Sequence, residues 1–425
     1  MASIVTSKFR VHNAQQFAES FSEASNTIMY LFIGKNTTFP DDNNPPTPVN
    51  STANIEFTPW RDMYAAKRIT TADVTHAVPR YDWTSGTVYD QYDDQDTNLL
   101  EDDFYVITED FNVYKCLFNA GATASTTKPT GVSTSPFTAA DGYIWKYMYT
   151  VTTAKALKFL TNDYMSVQTL DSDDGTDQYD VQQAAVDGGI HVVKVVSGGS
   201  GYASAPAVTI TGDGTGATAN STIVSGVVTA VTITAAGTGY TRASVAFASG
   251  AATATAIISP KGGHGANAVE ELGGKYIMLN VRLDGTESNT FSTANEFRQV
   301  GIVRDPYLYG TTTRAVASSY RQSFKYQLSA PSGTFALDET VTSGSNTASV
   351  VEWTTPNLFT TLPLNLPFAN TASVTGGTSA ASGTIAVITT PGLQPYSGDI
   401  IYVENRPPIA RATDQIEDVK LVIQF

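Results

Sequence analysis

A short peptide that occurs twice constrains this chain more than any other feature. Val195-Val-Ser-Gly-Gly-Ser-Gly-Tyr202 returns as Ile233-Thr-Ala-Ala-Gly-Thr-Gly-Tyr240, an offset of 38 (240 minus 202). Each copy continues into a short β-prone segment, Val208–Ile210 or Val245–Phe247, and then into an Ala/Thr-rich stretch. A repeat of this period, with Gly-rich turns between β-branched runs, reads as two β-units that bury their apolar faces by stacking on each other. A weaker repeat follows: Phe335 ahead of Thr340-Val-Thr-Ser-Gly344 is matched by Phe368 ahead of Ser373-Val-Thr-Gly-Gly377, an offset of 33 (368 minus 335). β-Rich sequence of different character resumes after each repeat. Both therefore read as compact modules inserted into a host domain, each bounded by Gly- or Pro-containing turns.

The expected organisation is a platform over 1–189, an inserted module over 190–260, more platform over 261–330, a second module over 331–391, and C-terminal platform strands over 392–425. In the platform, Phe104–Ile107, Tyr143–Val151, Tyr276–Leu283 and Asp399–Val403 have the composition and the bounding turn residues of strands. At the end, Val419, Leu421, Ile423 and Phe425 alternate with Lys420, Val422 and Gln424, the period of a half-buried strand. Three helices are expected. One is capped by Asn13 with Gln16 at its third position and pairs Phe17 with Phe21. A second starts at Thr58-Pro59 and turns Trp60 and Tyr64 inward, with Met63 and Lys67 completing an i, i+3, i+4, i+7 pattern. The third, Ala154–Leu160, sits behind Thr153. The fold class predicted is mainly β: a β-sandwich platform with a few short helices and two repeat-containing β-modules.

Charge excludes several functions. With 25 basic and 40 acidic side chains the chain carries −15, so the basic footprint that displaces phosphate counterions is missing and no nucleic-acid partner is expected. Anionic membrane surfaces repel such a chain, and no apolar run is long enough to span a bilayer. The N-terminal residues Met1-Ala-Ser-Ile-Val-Thr-Ser-Lys8 lack the apolar core of a signal peptide, pointing to a cytosol-like compartment. Cys116 is the single cysteine, which rules out an intrachain disulfide and a Cys-based zinc cluster. His12, His76, His191 and His264 show no metal-ligand spacing. No cofactor is expected.

Three segments imitate chemical motifs. Gly212-Asp-Gly214-Thr-Gly-Ala217 matches a dinucleotide loop, but the Thr218-Ala-Asn-Ser-Thr-Ile that follows is β-prone where a phosphate-binding helix is needed, so it reads as a turn. Acidic clusters lie at Asp90–Asp103 and at Asp171-Ser-Asp-Asp-Gly-Thr-Asp177. In the second, Asp171, Asp173, Asp174 and Asp177 surround a glycine as in a calcium loop, without the spacing or bidentate Glu of an EF-hand; a solvated acidic loop is the competing reading. Cys116 lies mid-strand in Val113-Tyr-Lys-Cys-Leu-Phe118, the setting of a small buried hydrophobe. With no nucleophile motif either, the chain is read as non-enzymatic.

Four segments carry a more specific signal: Ile4-Val-Thr-Ser-Lys8-Phe9-Arg10; Asp141-Gly142-Tyr-Ile-Trp145-Lys-Tyr147-Met-Tyr-Thr-Val151; Phe297-Arg298-Gln-Val-Gly-Ile-Val-Arg-Asp-Pro306; and Ser397 to Asp418, with Tyr402-Val-Glu404-Asn405-Arg406-Pro407-Pro408 and Thr413-Asp414-Gln415 at its centre. In the same order, they resemble the baseplate wedge protein eight family of T-even-type contractile-tailed bacteriophages. That resemblance implies a homodimeric β-sandwich subunit without catalytic activity, in contact with other baseplate wedge proteins. It also implies a place in the virion's tail baseplate, after synthesis and assembly in the host bacterial cytoplasm. The two modules and the stretch from Phe159 to Asp187 have no recognised counterpart in that family. The alternative is a tail adhesin that binds host surface glycan through its modules, for which Tyr202 and Tyr240 are the obvious aromatics.

Overall fold

The computed structural model describes residues 3–23 and 27–425 and is mainly β. In chain order the strands are β1 (Met29–Gly34), β2 (Met63–Ile69), β3 (Val74–Pro79), β4 (Tyr105–Ile107), β5 (Asn112–Phe118), β6 (Phe137–Thr138), β7 (Ile144–Thr150) and β8 (Tyr164–Val167). Next come β9 (Ile190–Ser197), β10 (Val208–Gly212), β11 (Thr215–Val224), β12 (Val227–Thr238), β13 (Ala243–Phe247), β14 (Thr253–Ile258), β15 (Tyr276–Asp284) and β16 (Phe297–Arg304). The rest are β17 (Ser319–Arg321), β18 (Phe324–Ser332), β19 (Thr340–Ser343), β20 (Asn346–Thr354), β21 (Asn357–Thr360), β22 (Ser373–Gly376), β23 (Ser382–Thr389), β24 (Asp399–Ile409) and β25 (Ile416–Gln424). The α-helices are α1 (Ser7–Glu19), α2 (Thr58–Asp62), α3 (Thr153–Phe159), α4 (Asp177–Gln183) and α5 (Ala268–Glu271). The chain forms two compact units: Met1–Gln16 with Thr75–Met278 and Val422–Phe425, and Phe17–Val74 with Leu279–Leu421.

The first unit is built on an antiparallel sheet in the order β4-β5-β7-β6. Both faces of this sheet are covered: Val113 and Leu117 join one apolar cluster, Tyr114, Cys116, Trp145 and Tyr147 another. A sheet buried on both faces needs apolar side chains at successive positions, which is why β5 and β7 lack alternation. β9 to β14 form the first repeat module, and the copies intertwine. β9 pairs with β14, β10 with β13 and β11 with β12, so every strand of one copy is hydrogen-bonded to a strand of the other. The two copies are thereby related by a local pseudo-two-fold through the β10–β13 pair, with Ile210 opposite Val245. Tyr202 and Tyr240 are buried at equivalent places. The Tyr202 hydroxyl accepts from the Ala252 N–H at 2.9 Å, and the Tyr240 hydroxyl from the Ala217 N–H at 3.4 Å. Their rings lie across glycine backbone: a Cβ on Gly214 would stand 2.4 Å from the Tyr240 ring, and one on Gly250 2.4 Å from Tyr202. Within the Gly-x-Gly-Tyr signature itself, a Cβ on Gly237 would lie 2.9 Å from the Tyr240 ring and one on Gly199 3.1 Å from Tyr202, so each tyrosine is seated on bare backbone from its own turn and from the other copy.

The second unit has an antiparallel sheet in the order β17-β2-β1-β16-β24, with β1 buried along its whole length. Gly301 at its centre is required by packing, because a Cβ there would lie 2.3 Å from the Phe32 ring. Between β17 and β24 of this sheet the sequence forms a closed barrel, β18-β21-β20-β19-β22-β23. Its two repeat copies also meet as equals. β19 pairs with β22, setting Val341 against Gly376, while Phe335 and Phe368 both enter the barrel core. Closure needs β18, which pairs with β21 on one side and β23 on the other. β18 takes the place in the second copy that β21 holds in the first, although it precedes both in sequence. The boundary expected at 331 thus falls inside a strand, and the barrel starts at Phe324.

Other expectations also shift. Asn13 lies inside α1, which starts at Ser7, and Thr6 supplies the capping oxygen by accepting from the Phe9 N–H. The helix begun at Thr58 lasts five residues, since Met63 enters β2. Trp60 and Tyr64 are buried as predicted, but Met63 to Ala66 are buried consecutively on both faces of a strand, a run whose spacing mimics a helical stripe over four residues. α3 is capped by Thr152 rather than Thr153. Asn405 to Pro408 extend the edge strand β24, where proline forfeits no ladder bond. At the end of the chain Val419 and Leu421 are buried within β25, while Ile423 and Phe425 are only half-buried.

Candidate functional site

The first unit holds its most unusual chemistry inside its sheet. Lys115 on β5 and Lys146 on β7 stand directly opposite each other in register, and both side chains are buried. Two like charges so placed repel, and burial disfavours each of them further. Glu271 at the end of α5 offsets this: its carboxylate accepts from Lys115 Nζ at 2.8 Å and from the backbone N–H groups of Gly265 at 2.8 Å and Asn267 at 3.2 Å. Burial holds Lys115 below the usual lysine range, with Glu271 opposing, and takes Lys146 down to about 8. Lys146 donates to the Thr134 carbonyl.

Above this pair, the Lys115 ammonium lies 4.1 Å from the centre of the Tyr92 ring, and His264 packs edge-on against the same ring at 4.8 Å. His264 is held well below the ordinary histidine range, chiefly by burial and then by Lys115, and its Nδ1 is buried without a hydrogen-bond partner. His191, 5.5 Å from His264 between ring centres, is lowered by burial and then by Lys146 and Lys115. Lys115 and Lys146 are sealed from solvent, and Glu271 ties α5 and the backbone at Gly265 and Asn267 to Lys115 on the sheet. Sequence reasoning missed this cluster. The available signal was a lysine in the middle of each of two apolar strands, Tyr-Lys115-Cys and Trp-Lys146-Tyr.

Tyr92 and Glu271 also form part of the floor of an open cleft of about 650 Å³. It is lined by the start of α1 and the residues before it, including Ile4, Val5, Lys8 and Arg10, and by the loop Asp93–Glu101, which carries Leu99 and Leu100 among its acids. Lys275 crosses the floor to reach Glu101 at 2.8 Å, and Asp94 accepts from the Ile258 N–H at 3.2 Å. Burial, and then Asp93, raise the Asp94 carboxyl above its ordinary value.

The calcium-loop residues do not converge. Asp173 accepts from the Gly175 N–H, Asp174 accepts from the Thr176 N–H and hydroxyl, and Asp177 opens α4. Asp171 is exposed beside them. Among the described residues no group of three or more His, Cys, Asp or Glu side chains is placed to hold a metal ion. The loop at Gly212 leads into β11 and no helix follows; Asp213 accepts from the backbone N–H groups of Thr241 and Arg242, stapling one repeat copy to the other. Cys116 is buried, which pushes its thiol up. Tyr202 and Tyr240, the aromatics on which glycan binding was to rest, are covered and present no face to a sugar.

The residues that carry the family resemblance fall on the framework. Lys8 and Phe9 are exposed on α1, with Arg10 half-buried. Gly142 occupies the left-handed turn before β7, at φ +87°, and Trp145 and Tyr147 are core residues. Phe297 and Arg298 open β16, where Arg298, 4% exposed, donates to Asp42 at 2.9 Å and to the Asn36 carbonyl at 2.5 Å. On β24, Glu404 accepts from the Tyr402 hydroxyl at 2.8 Å and from Arg406 at 2.7 Å; Asn405 stands opposite Gln299 and accepts from it at 2.8 Å. Pro407, Pro408 and Asp414 are exposed. No protein-family model matches this chain, and no curated protein matches it. Among the described residues no helix is long and apolar enough to cross a membrane.

Proposed function

We propose that this chain is a non-enzymatic structural subunit of the baseplate wedge of a contractile phage tail, acting as a homodimer through contacts with other wedge proteins. The observation that supports this most is where the resembling segments fall. Phe297–Arg304 and Asp399–Asn405, far apart in sequence, are neighbouring strands of one sheet, with Gln299 bonded to Asn405 across them. Asp141–Val151 spans β7, an inner strand of the other unit's sheet. Segments that resemble a family and also build the sheets are those expected to preserve a common scaffold, while the modules have no recognised counterpart in that family. The function assigned to the scaffold is architectural: broad neutral and acidic surface presented to neighbours.

The test is to locate the chain. Labelled antibody on purified contractile tails from the source of the gene is expected at the baseplate end, with two copies per wedge. Light scattering of the isolated protein is expected to give twice the 45.2 kDa chain mass. A monomeric mass together with tails that carry no label would refute the proposal.

A further inference from the structure

His264 lies in the segment 260–267, which joins β14 to α5, and is 5% exposed. Three glycines around it, Gly262, Gly263 and Gly265, hold left-handed backbone at φ +88°, +98° and +94°. They let the segment lie tight against its support. A Cβ on Gly263 would stand 2.5 Å from the Val186 backbone, and one on Gly265 2.6 Å from the Val181 side chain. Seating the segment therefore presses an imidazole into a place that already holds two buried lysines.

Charged groups meet that ring from several elements. β5 supplies Lys115, β7 Lys146 and β9 His191, each of which disfavours a proton on His264. α5 supplies Glu271, whose carboxylate is committed to Lys115 and to the Gly265 and Asn267 N–H groups. Behind Tyr92, Asp93 pairs with Lys194 and Asp94 accepts from the Ile258 N–H. Asp187 accepts from the Gly262 N–H at 2.7 Å, Lys261 is exposed, and α4 contributes the apolar Val181. An imidazolium donates from both ring nitrogens, and the buried Nδ1 of His264 has no acceptor. Protonation would add a like charge to the cluster and leave a buried donor unpaired.

From this arrangement we infer that 260–267 is an acid-released strap, which lies on the sheet while His264 is neutral and lifts from it when the ring takes a proton. The inference concerns the first unit alone and does not rest on the architectural reading. A ring that ordinarily titrates at 6.5, and resists the proton once buried, stabilises the seated strap fully above that value; the stabilisation is lost as pH falls below it. Lys146, at about 8, titrates above this range.

Hydrogen exchange read by mass spectrometry on the full-length protein tests the strap, with each rate divided by the intrinsic rate at its pH. Between about pH 7.5 and 5.5, protection of the Gly262–Glu271 amides is expected to fall about tenfold, the gain in opening that one released histidine gives. The amides of β5 and β7 are expected to keep their protection. His264→Phe and His264→Gln, which cannot take the proton, are expected to lose at most about twofold. His12→Gln removes an exposed imidazole from α1 and is expected to respond like the unaltered protein. Thermal melts identify the folded variants; either His264 variant suffices, and the unaltered protein's own profile decides if neither folds. Strap protection independent of pH, an equal fall in the His264 variants, an equal rescue by His12→Gln, or simultaneous loss across β5 and β7 would each overturn the inference.

Discussion

The two repeat modules reach similar compactness by different closures. In the first, 190–258, each copy lends every strand to the other, and the result is three two-stranded pairs around a small core of Ile190, Val193, Tyr240 and Ala256. In the second, 324–389, the copies join edge to edge and a strand from outside the repeat closes a barrel over Phe324, Tyr326, Phe335, Phe368 and their aliphatic neighbours. Hydrogen-bond closure removes sheet edges and permits a thick aromatic core, whereas intertwining leaves edges that small Thr, Ala and Ser side chains keep soluble. A duplicated β-unit can therefore become compact either by exchanging strands or by borrowing one.

The largest test of that contrast is excision. Val192 and Ile257 belong to the platform's own core, so the cut is made beyond the paired Ser197 and Thr253: replacing 198–252 by a short Gly/Ser bridge is expected to leave a soluble protein that melts cooperatively. Removing 331–391 strands Phe324, Tyr326 and Leu328 of β18 without barrel neighbours, which exposes roughly 1.5–3 kcal/mol of apolar burial per side chain. Aggregation in size-exclusion chromatography is expected for that variant, with soluble yield recovered when the cut starts at 324. Equal yields from the two cuts would mean that β18 is not part of the barrel's folding unit.

Next in size are the aromatic anchors. Tyr326 stacks on Phe368 at 5.0 Å and on Phe324 at 5.8 Å, and Tyr326→Ala is expected to cost about 3–5 kcal/mol in denaturant titration. Tyr240→Ala, in a core of smaller side chains that can relax inward, is expected to cost about half as much. Matching losses would abolish the distinction between the cores. Gly214→Ala puts a methyl into the Tyr240 ring, with about 1–3 kcal/mol expected. Most of that should vanish in the Gly214→Ala/Tyr240→Ala double variant; a simply additive pair would show that the ring is not what excludes the methyl.

The last effect is that of acid. Each module pins its two copies with one carboxylate: Asp213 bonds Thr241 and Arg242, and Glu339 bonds Ala336, Thr378 and Ser379. Both groups titrate below their ordinary values. For Glu339 these bonds outweigh its burial and hold it at about 2, against an ordinary 4.5. A lowered carboxyl contributes stability that is present above its unfolded value and is lost as pH falls through the folded one. Glu339 is 6% exposed, whereas Asp213 is open to solvent, which screens its interactions. Hydrogen exchange is expected to show barrel protection declining between pH 4.5 and 2, and declining less in Glu339→Gln. A steeper decline in the first module than in the barrel would reverse the assignment.

Local sequence by itself determined a β-rich chain with two duplicated units, because β-branched runs, glycine turns and fixed periods act over a few neighbouring residues. It also marked Cys116, Trp60 and Tyr64 as buried and the Gly212–Ala217 segment as a turn, for the same local reason. It misassigned Met63 and Tyr64 to a helix, since burial on both faces of a strand erases the period that distinguishes the two. Tertiary structure alone decided how the duplicated units close, because hydrogen-bond partners such as β18 and β21 are chosen by geometry across the fold. It also decided that Lys115 and Lys146 face each other under Glu271, 156 residues from Lys115. No window of sequence contains that opposition: a buried charge is tolerated only where the folded chain delivers its counterion, and that delivery is a property of the whole unit.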